Sequence, residues 1–385
     1  MTHVPGFTST SSKRPEALFG QGDGALPARM VRSSGCRVWD DRGREYVDYI
    51  MGLGSVALGY AHPVVGRAAA EAIEHGVVGP LPPVLEEEVA GEICRRIPWV
   101  EQVRFLKTGA EAMAAAVRLA RVATGRERVL GCGYHGWLDW CRAADPAVPA
   151  GTRALYGEVP FNDPDRTRAL IRAVADRLGA VVFEPVIGHA PHPAWLAVLR
   201  EETSRCGAVL VIDEIKTACR LAVGGAAERY GIRPDLVVLG KAIANGFPLA
   251  AVGGRTKIMS GATRTWISST LATESVSLAA AKATIGIMVE QSVPAHLTRI
   301  GGRLFAGLEA LAGRHSGVVT GVGGVPEMCF LHYRDEVASG RVAAACAARG
   351  LLFKRAAYNF VSLAHDEAVV DHTLGVLEEA LSAVA

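Results

Sequence analysis

An α/β architecture, with one large mostly parallel sheet covered by helices and a smaller α+β unit, is predicted by three observations on this 385-residue chain. Six short apolar runs, QVRFL, ERVLG, AVVFEPV, AVLVIDEI, DLVVLG and LAAVGG, alternate with stretches of helical periodicity. Such alternation marks crossover units whose helices cover both faces of the sheet. The chain is also too long for one small core, which calls for one large domain and one lesser one. After about Glu290 the pattern changes: the helical stretches GRLFAGLEALAG and SGRVAAACAARG and the tail from His365 surround short strands such as EMCFLHY.

Along the chain, the first 25 or so residues are rich in Ser, Gly and Pro and read as an irregular arm. CRVWDDRGREYVDYI follows as a hairpin, because the turn Asp41-Arg42-Gly43 separates two runs carrying Val, Tyr and Ile. From about Pro63 the helices include LEEEVAGEICRRI and DRTRALIRAVADRL. The expected division is residues 1–55 as arm and hairpin of the small domain, 56–290 as the large domain and 291–385 as the rest of the small one.

Composition narrows the function. A formal charge of +2 with scattered basic residues gives no electrostatic footprint for nucleic acid. No apolar run approaches the roughly 20 residues needed to span a bilayer, so no membrane partner is expected. The N-terminal stretch lacks a charged segment followed by an apolar one, and the cytoplasm is the expected location. The eight cysteines form no CxxC pair, and the spacing of Cys132, His135 and Cys141 matches no familiar zinc pattern, so no metal is expected. Small molecules are the expected partners.

The chemistry-bearing residues fall after strand ends, where open α/β sheets bind ligands. Lys241 follows DLVVLG at the edge of a buried strand; burial favours its neutral amine, which attacks an aldehyde. Asp213 ends an otherwise apolar strand and needs a buried partner or a ligand; a pyridinium N–H satisfies it and keeps the ring an electron sink. Glu184 is a comparable strand-end acid. Thr108 and Gly109 open an Ala-rich helix after QVRFL, a junction that suits a phosphate or is simply a capped turn. In VLGCGYHGWLDW, glycines bracket Tyr134 and His135, a ring of which suits stacking on a planar cofactor. Trp137 and Trp140 read as core aromatics, Trp137 being also a candidate substrate contact.

Taken in order, KTGAEA, GYHGW, FEPV, IDEI, GKAIANGFPLAAVGG and SSTLATESVSLAAA resemble the class III aminotransferases, fold type I pyridoxal-phosphate enzymes, in the branch similar to glutamate-1-semialdehyde aminomutase. The resemblance covers about residues 27–385. It implies pyridoxal 5'-phosphate as cofactor, a seven-stranded type of large sheet, and Lys241 as the Schiff-base lysine. It further implies Asp213 on the pyridine nitrogen, Tyr134 and Ile215 on the two ring faces, and the phosphate against Thr108, Gly109 and Ala110. Glu184 then supports the cofactor, and Thr270 reaches the phosphate of the neighbouring subunit in a homodimer with active sites at the interface. An amino donor and a carbonyl acceptor are the implied substrates, with a role in sugar or secondary-metabolite biosynthesis; aminomutation or another Cα reaction is the alternative.

Three departures from that pattern stand out. Ala110 occupies a position of the phosphate turn that often carries a hydroxyl. After IDEI the chain reads Lys216, Thr217, Ala218, Cys219, Arg220 where relatives carry an uncharged residue and then Thr-Gly-Phe-Arg; Lys216 is either a contact for an anionic substrate group or the partner of a neighbouring acid. The aminomutase arginine that holds the substrate carboxylate has no clear counterpart in residues 15–25, Arg14 being the nearest candidate. A regulatory homologue lacking catalysis is disfavoured by the intact Lys241 and Asp213 and by the lack of a helix-turn-helix pattern in residues 1–30. A nucleotide-binding dehydrogenase fails because no GxGxxG lies between a strand and a helix.

Overall fold

The computed structural model describes residues 3–20 and 26–384. They form two compact units, Met1–His62 with Ala295–Ala385, and Pro63–Pro294.

The unit Pro63–Pro294 is built on seven strands: β1 (Gln102–Leu106), β2 (Arg128–Cys132), β3 (Tyr156–Glu158), β4 (Leu178–Phe183), β5 (Val209–Asp213), β6 (Leu236–Leu239) and β7 (Ala250–Gly254). Their order is β1-β7-β6-β5-β4-β2-β3. The pairings from β6 through β3 are parallel, and β7 is antiparallel to both of its neighbours. Register places Cys132 beside Phe183, Phe183 beside Ile212 and Asp213 beside Val238. The carboxyl ends of four central strands therefore stand level along one edge.

Strands buried on both faces must be apolar throughout, and β4, β5 and β6 are buried at every residue. The main helices of this unit are α1 (Pro63–Glu74) and α2 (Val84–Arg96) before the first strand, α3 (Gly109–Thr124), α4 (Pro164–Ala173) and α5 (Pro193–Cys206) between strands, and α6 (Ser275–Glu290) after the last. The inner face of α3 consists of Ala112, Met113, Ala116, Val117, Leu119 and Ala120, which share a core with Val211, Val238 and Val252. Small alanines let the helix backbone lie close on the sheet; truncating the fully buried Leu119 to Ala costs about 2–5 kcal/mol in such a site.

Two local readings differ from expectation. Helix α4 ends at Ala173, although helical periodicity was read through to Leu178. Leu178 is wholly buried and opens β4, and a side chain on Gly179 would meet the Arg126 carbonyl at 2.6 Å, so sheet pairing claims the end of that stretch. The three-residue edge strand β3 had no apolar run to announce it.

In the other unit the hairpin strands Arg37–Asp40 and Glu45–Asp48 pair antiparallel, and Met30–Ser34 and Leu351–Leu352 complete a four-stranded sheet. The Asp40 carboxylate accepts from the Arg42 and Arg44 amides at 3.0 and 2.9 Å, and Gly43 takes φ 77°, which closes the turn. A three-stranded antiparallel sheet (Val319–Val325, Met328–Tyr333, Asn359–Phe360) and helices Glu336–Ala348 and Glu367–Ser382 make up the α+β remainder. Among the described residues no helix is long and apolar enough to cross a membrane.

Candidate active site

Lys241 lies immediately past β6, where Gly240 is extended and Lys241 itself takes φ 48°, ψ leading into the short turn Lys241–Ala244. A left-handed conformation at a non-glycine residue costs of order 1 kcal/mol or more and persists only where surroundings impose it. Burial of the amine, then the charge of Lys216, push its pKa down to about 8, against the opposing pull of Asp213 and Glu184; Arg220 adds to the depression. An amine so placed is substantially neutral near pH 8, as a nucleophile requires.

One strand over, Asp213 closes β5 with its carboxylate 3 % exposed. Oδ2 lies 2.8 Å from His135 Nδ1, and Oδ1 accepts from the Ile215 amide at 3.1 Å. These contacts leave acceptor capacity on a carboxylate, which has roughly four lone-pair sites.

His135 is held by the turn after β2. Gly133 and Gly136 take φ 109° and 101°, conformations in which an L side chain is strained. A Cβ on Gly133 would meet Glu184 Oε2 at 2.6 Å, and one on Gly136 would meet Ala110 Cβ at 2.6 Å. The glycines thus let this turn close down on Glu184 at one end and on the start of α3 at the other. Tyr134 and Trp137 emerge 63 % and 74 % exposed, whereas His135 is buried and stacks on Trp140, ring centroids 6.1 Å apart.

The expectation for these aromatics is corrected at two residues. Trp137 is not core, because Gly136 turns the chain outward before it; Trp140, at 8 %, is. His135 offers no ring for stacking on a cofactor, since its side chain is enclosed between Asp213 and Trp140. Its link to Asp213 spans 78 residues, and only a buried carboxylate in need of a donor hinted at it.

Glu184 follows β4, 6 % exposed. Its carboxylate accepts from the Tyr134 amide at 2.9 Å and pairs with Lys216 Nζ at 2.8 Å. Of the two readings of Lys216, the ion pair with a neighbouring acid is therefore the one observed.

Helix α3 begins at Gly109 behind a capping box: Glu111 N–H donates to Thr108 Oγ1 at 3.2 Å, and the Glu111 carboxylate accepts from the Thr108 amide at 2.8 Å. The amides of Gly109 and Ala110 open the helix, where no preceding carbonyl can accept from them. Ile215 leans over this turn; a Cβ on Gly109 would lie 2.5 Å from its Cδ1.

Thr270 is exposed on the segment 267–274, in the wall of a cavity of about 330 Å³ with Pro82, Arg104 and Ser275. Two contacts tie that segment to β1 and the residue that follows it: the Arg104 guanidinium donates to the Ile267 carbonyl at 2.8 Å, and Lys107 Nζ pairs with Glu274 at 2.7 Å. Glu274 in turn caps α6, accepting from the Val276 amide at 2.8 Å. Arg14 belongs to the other unit, where it precedes the short helix Pro15–Phe19.

Glu214 was missed by sequence reasoning. It is wholly buried, and burial pushes its pKa up to about 7, even though it accepts from the Ala226 and Ala227 amides at 2.8 and 2.7 Å and from Thr217. An acid directly after a strand-end Asp was the available signal.

Pyridoxal phosphate fits these residues. The site offers a buried carboxylate for a ring N–H, an amine whose neutral form is favoured, and the free amides of a 16-residue helix for a phosphate.

The pattern of the family described as Aminotransferase class-III matches residues 19–384. Glutamate-1-semialdehyde 2,1-aminomutase of Roseiflexus castenholzii (strain DSM 13941 / HLO8) is 34 % identical over 399 residues, covering 94 % of this chain and 91 % of that protein. An omega-transaminase from Sphaerobacter thermophilus superposes with TM-score 0.90 at 26 % identity, covering 99 % and 95 % of the two chains. A β-phenylalanine aminotransferase from Variovorax paradoxus does so with TM-score 0.85 at 27 % identity, covering 99 % and 91 %. With the family match spanning nearly the whole chain and a relative aligned over almost its full length, this protein belongs to the class III aminotransferases, pyridoxal-phosphate enzymes, alongside the glutamate-1-semialdehyde aminomutases.

Proposed function

We propose that the protein is an aminotransferase that moves an amino group from an amino-acid donor to a keto or aldehyde acceptor in sugar or secondary-metabolite biosynthesis, acting as a homodimer. The observation that carries this reading is the depressed Lys241 amine standing one strand from the buried Asp213 carboxylate. When bound, pyridoxal phosphate supplies an electron sink for the carbanion left when a substrate Cα bond breaks.

Lys241 would hold the cofactor through Nζ, and the same Nζ, once freed, would accept the proton lost from the donor Cα. Its pKa suits that work, since a general base acts best near the working pH. Asp213 keeps a proton on the ring nitrogen, and His135 fixes the carboxylate. Ile215 and Tyr134 would cover the ring faces and the amides of Gly109 and Ala110 would bind the phosphate, at a turn that Thr108 orders through its cap. Glu184 holds the Tyr134 backbone. Thr270 serves the partner subunit's phosphate. Trp137, exposed beside Tyr134 in sequence, and Arg14 are substrate contacts to be tested by substitution. The aminomutase relative favours a second reading, an internal amino shift on one substrate.

Single-turnover spectroscopy separates the two. Mixing the holoenzyme with one amino donor at a time should convert the visible cofactor band to the amine form and release keto acid. A product that forms without any such conversion refutes transamination.

A further inference from the structure

We propose that Lys216 is a positioning residue that keeps the Lys241 amine neutral: pinned by Glu184 at 2.8 Å, its ammonium cancels a carboxylate that would otherwise hold Lys241 as a cation. The inference rests on Lys241 being the cofactor-bearing lysine.

The geometry is that of a small charge lattice on one sheet edge. Glu184 stands past β4, Asp213 and Lys216 at and just past β5, and Lys241 past β6. The charged groups acting on Lys241 are Lys216, Asp213, Glu184 and Arg220, two of each sign. Asp213 is engaged by His135 and faces the ring nitrogen in the proposed function, so Glu184 is the other carboxylate whose charge favours an ammonium on Lys241. Lys216 and Glu184 are both largely buried, with side chains 17 % and 7 % exposed, so solvent screens the pair poorly.

Removing the Lys216 ammonium therefore takes away its repulsion on Lys241 and leaves the attraction of Glu184 there uncancelled, a change of one unit charge. That change favours the ammonium of Lys241, which neither attacks nor accepts a proton. Glu184 is in turn bound to the Tyr134 amide, so the same carboxylate links the amine's charge state to the residue covering the ring.

The test compares wild type with Lys216→Met and Lys216→Arg. In the cofactor-free full-length protein, competitive acetylation of Lys241 against pH, read by peptide mass spectrometry, gives the midpoint of the amine directly. An uncancelled charge within about 10 Å, at an effective dielectric of about 20, moves such a midpoint by about one pH unit. Lys216→Met should raise it by that amount, Lys216→Arg should leave it near wild type, and Glu184→Gln should lower it. In the holoenzyme the pH midpoint of the visible band and the acid limb of kcat/KM should move in the same sense. A Lys241 midpoint that stays put or falls in Lys216→Met overturns the inference. Should that variant not fold, Lys216→Gln and Glu184→Gln carry the same comparison. Borohydride reduction tests the underlying reading separately: cofactor fixed to a lysine other than Lys241 would overturn the functional assignment, while the acetylation midpoints still decide the electrostatic one.

Discussion

Replacing Lys241 with Met should make the cofactor-free protein more stable, and the gain should vanish at high pH. The methionine keeps the alkyl stem and deletes the amine. In the folded chain the amine's pKa is depressed from 10.5 to about 8, chiefly by burial. A lysine depressed on folding binds fewer protons folded than unfolded between those two values, so stability rises with pH across that window and its penalty is fully present below it. That depression, from 10.5 to about 8, corresponds to about 3 kcal/mol at pH 7, falling to under about 1 kcal/mol at pH 10. Urea unfolding of both proteins without cofactor, at pH 7 and at pH 10, measures this directly as a difference of differences, in which the titrations common to both variants cancel. A Lys241→Met protein that is less stable than wild type at pH 7, or a gap that does not close by pH 10, refutes the reasoning. A confirmed result would put a number on the folding cost of keeping a reactive amine at this edge.

Other expectations follow from the same geometry. Thr108→Ala removes the capping box at Gly109 and should lower stability by about 1 kcal/mol in chemical denaturation, with Thr108→Ser close to wild type. Gly109→Ala forces its Cβ against Ile215 and should weaken pyridoxal-phosphate binding by about tenfold in a spectroscopic titration; Ile215→Val added to it should restore part of the loss. Glu214→Ala strands two buried amides and a hydroxyl and should cost about 3 kcal/mol or more, measured by urea midpoint. His135→Phe removes the donor to Asp213 and should shift the visible band of the holoenzyme and weaken cofactor binding by about tenfold.

Six of the seven strands were legible, and the central ones plainly so, because β4, β5 and β6 must be apolar at every residue when both faces are covered. The cap at Thr108 was legible for a similar reason, since Thr-Gly-Ala-Glu carries its own local hydrogen bonds. What escaped was whatever depends on residues far apart in sequence. The His135 contact to Asp213 joins different strand ends, and no local periodicity encodes it; for Lys216 an acid partner was foreseen, but not that it would be Glu184 of another strand end. Trp137 was misread because burial was inferred from residue type, whereas the positive φ of Gly136 decides its direction. Strand β3 has three residues and one covered edge, too short to leave a pattern.

The two ties to the segment 267–274, one from β1 and one from the residue that follows it, make that segment a strap held at both ends by one stretch of chain. Arg104 holds one end from within β1, and Lys107, directly before Thr108, holds the other at the mouth of α6. The strap and the turn at Thr108 therefore share one foundation and cannot shift independently.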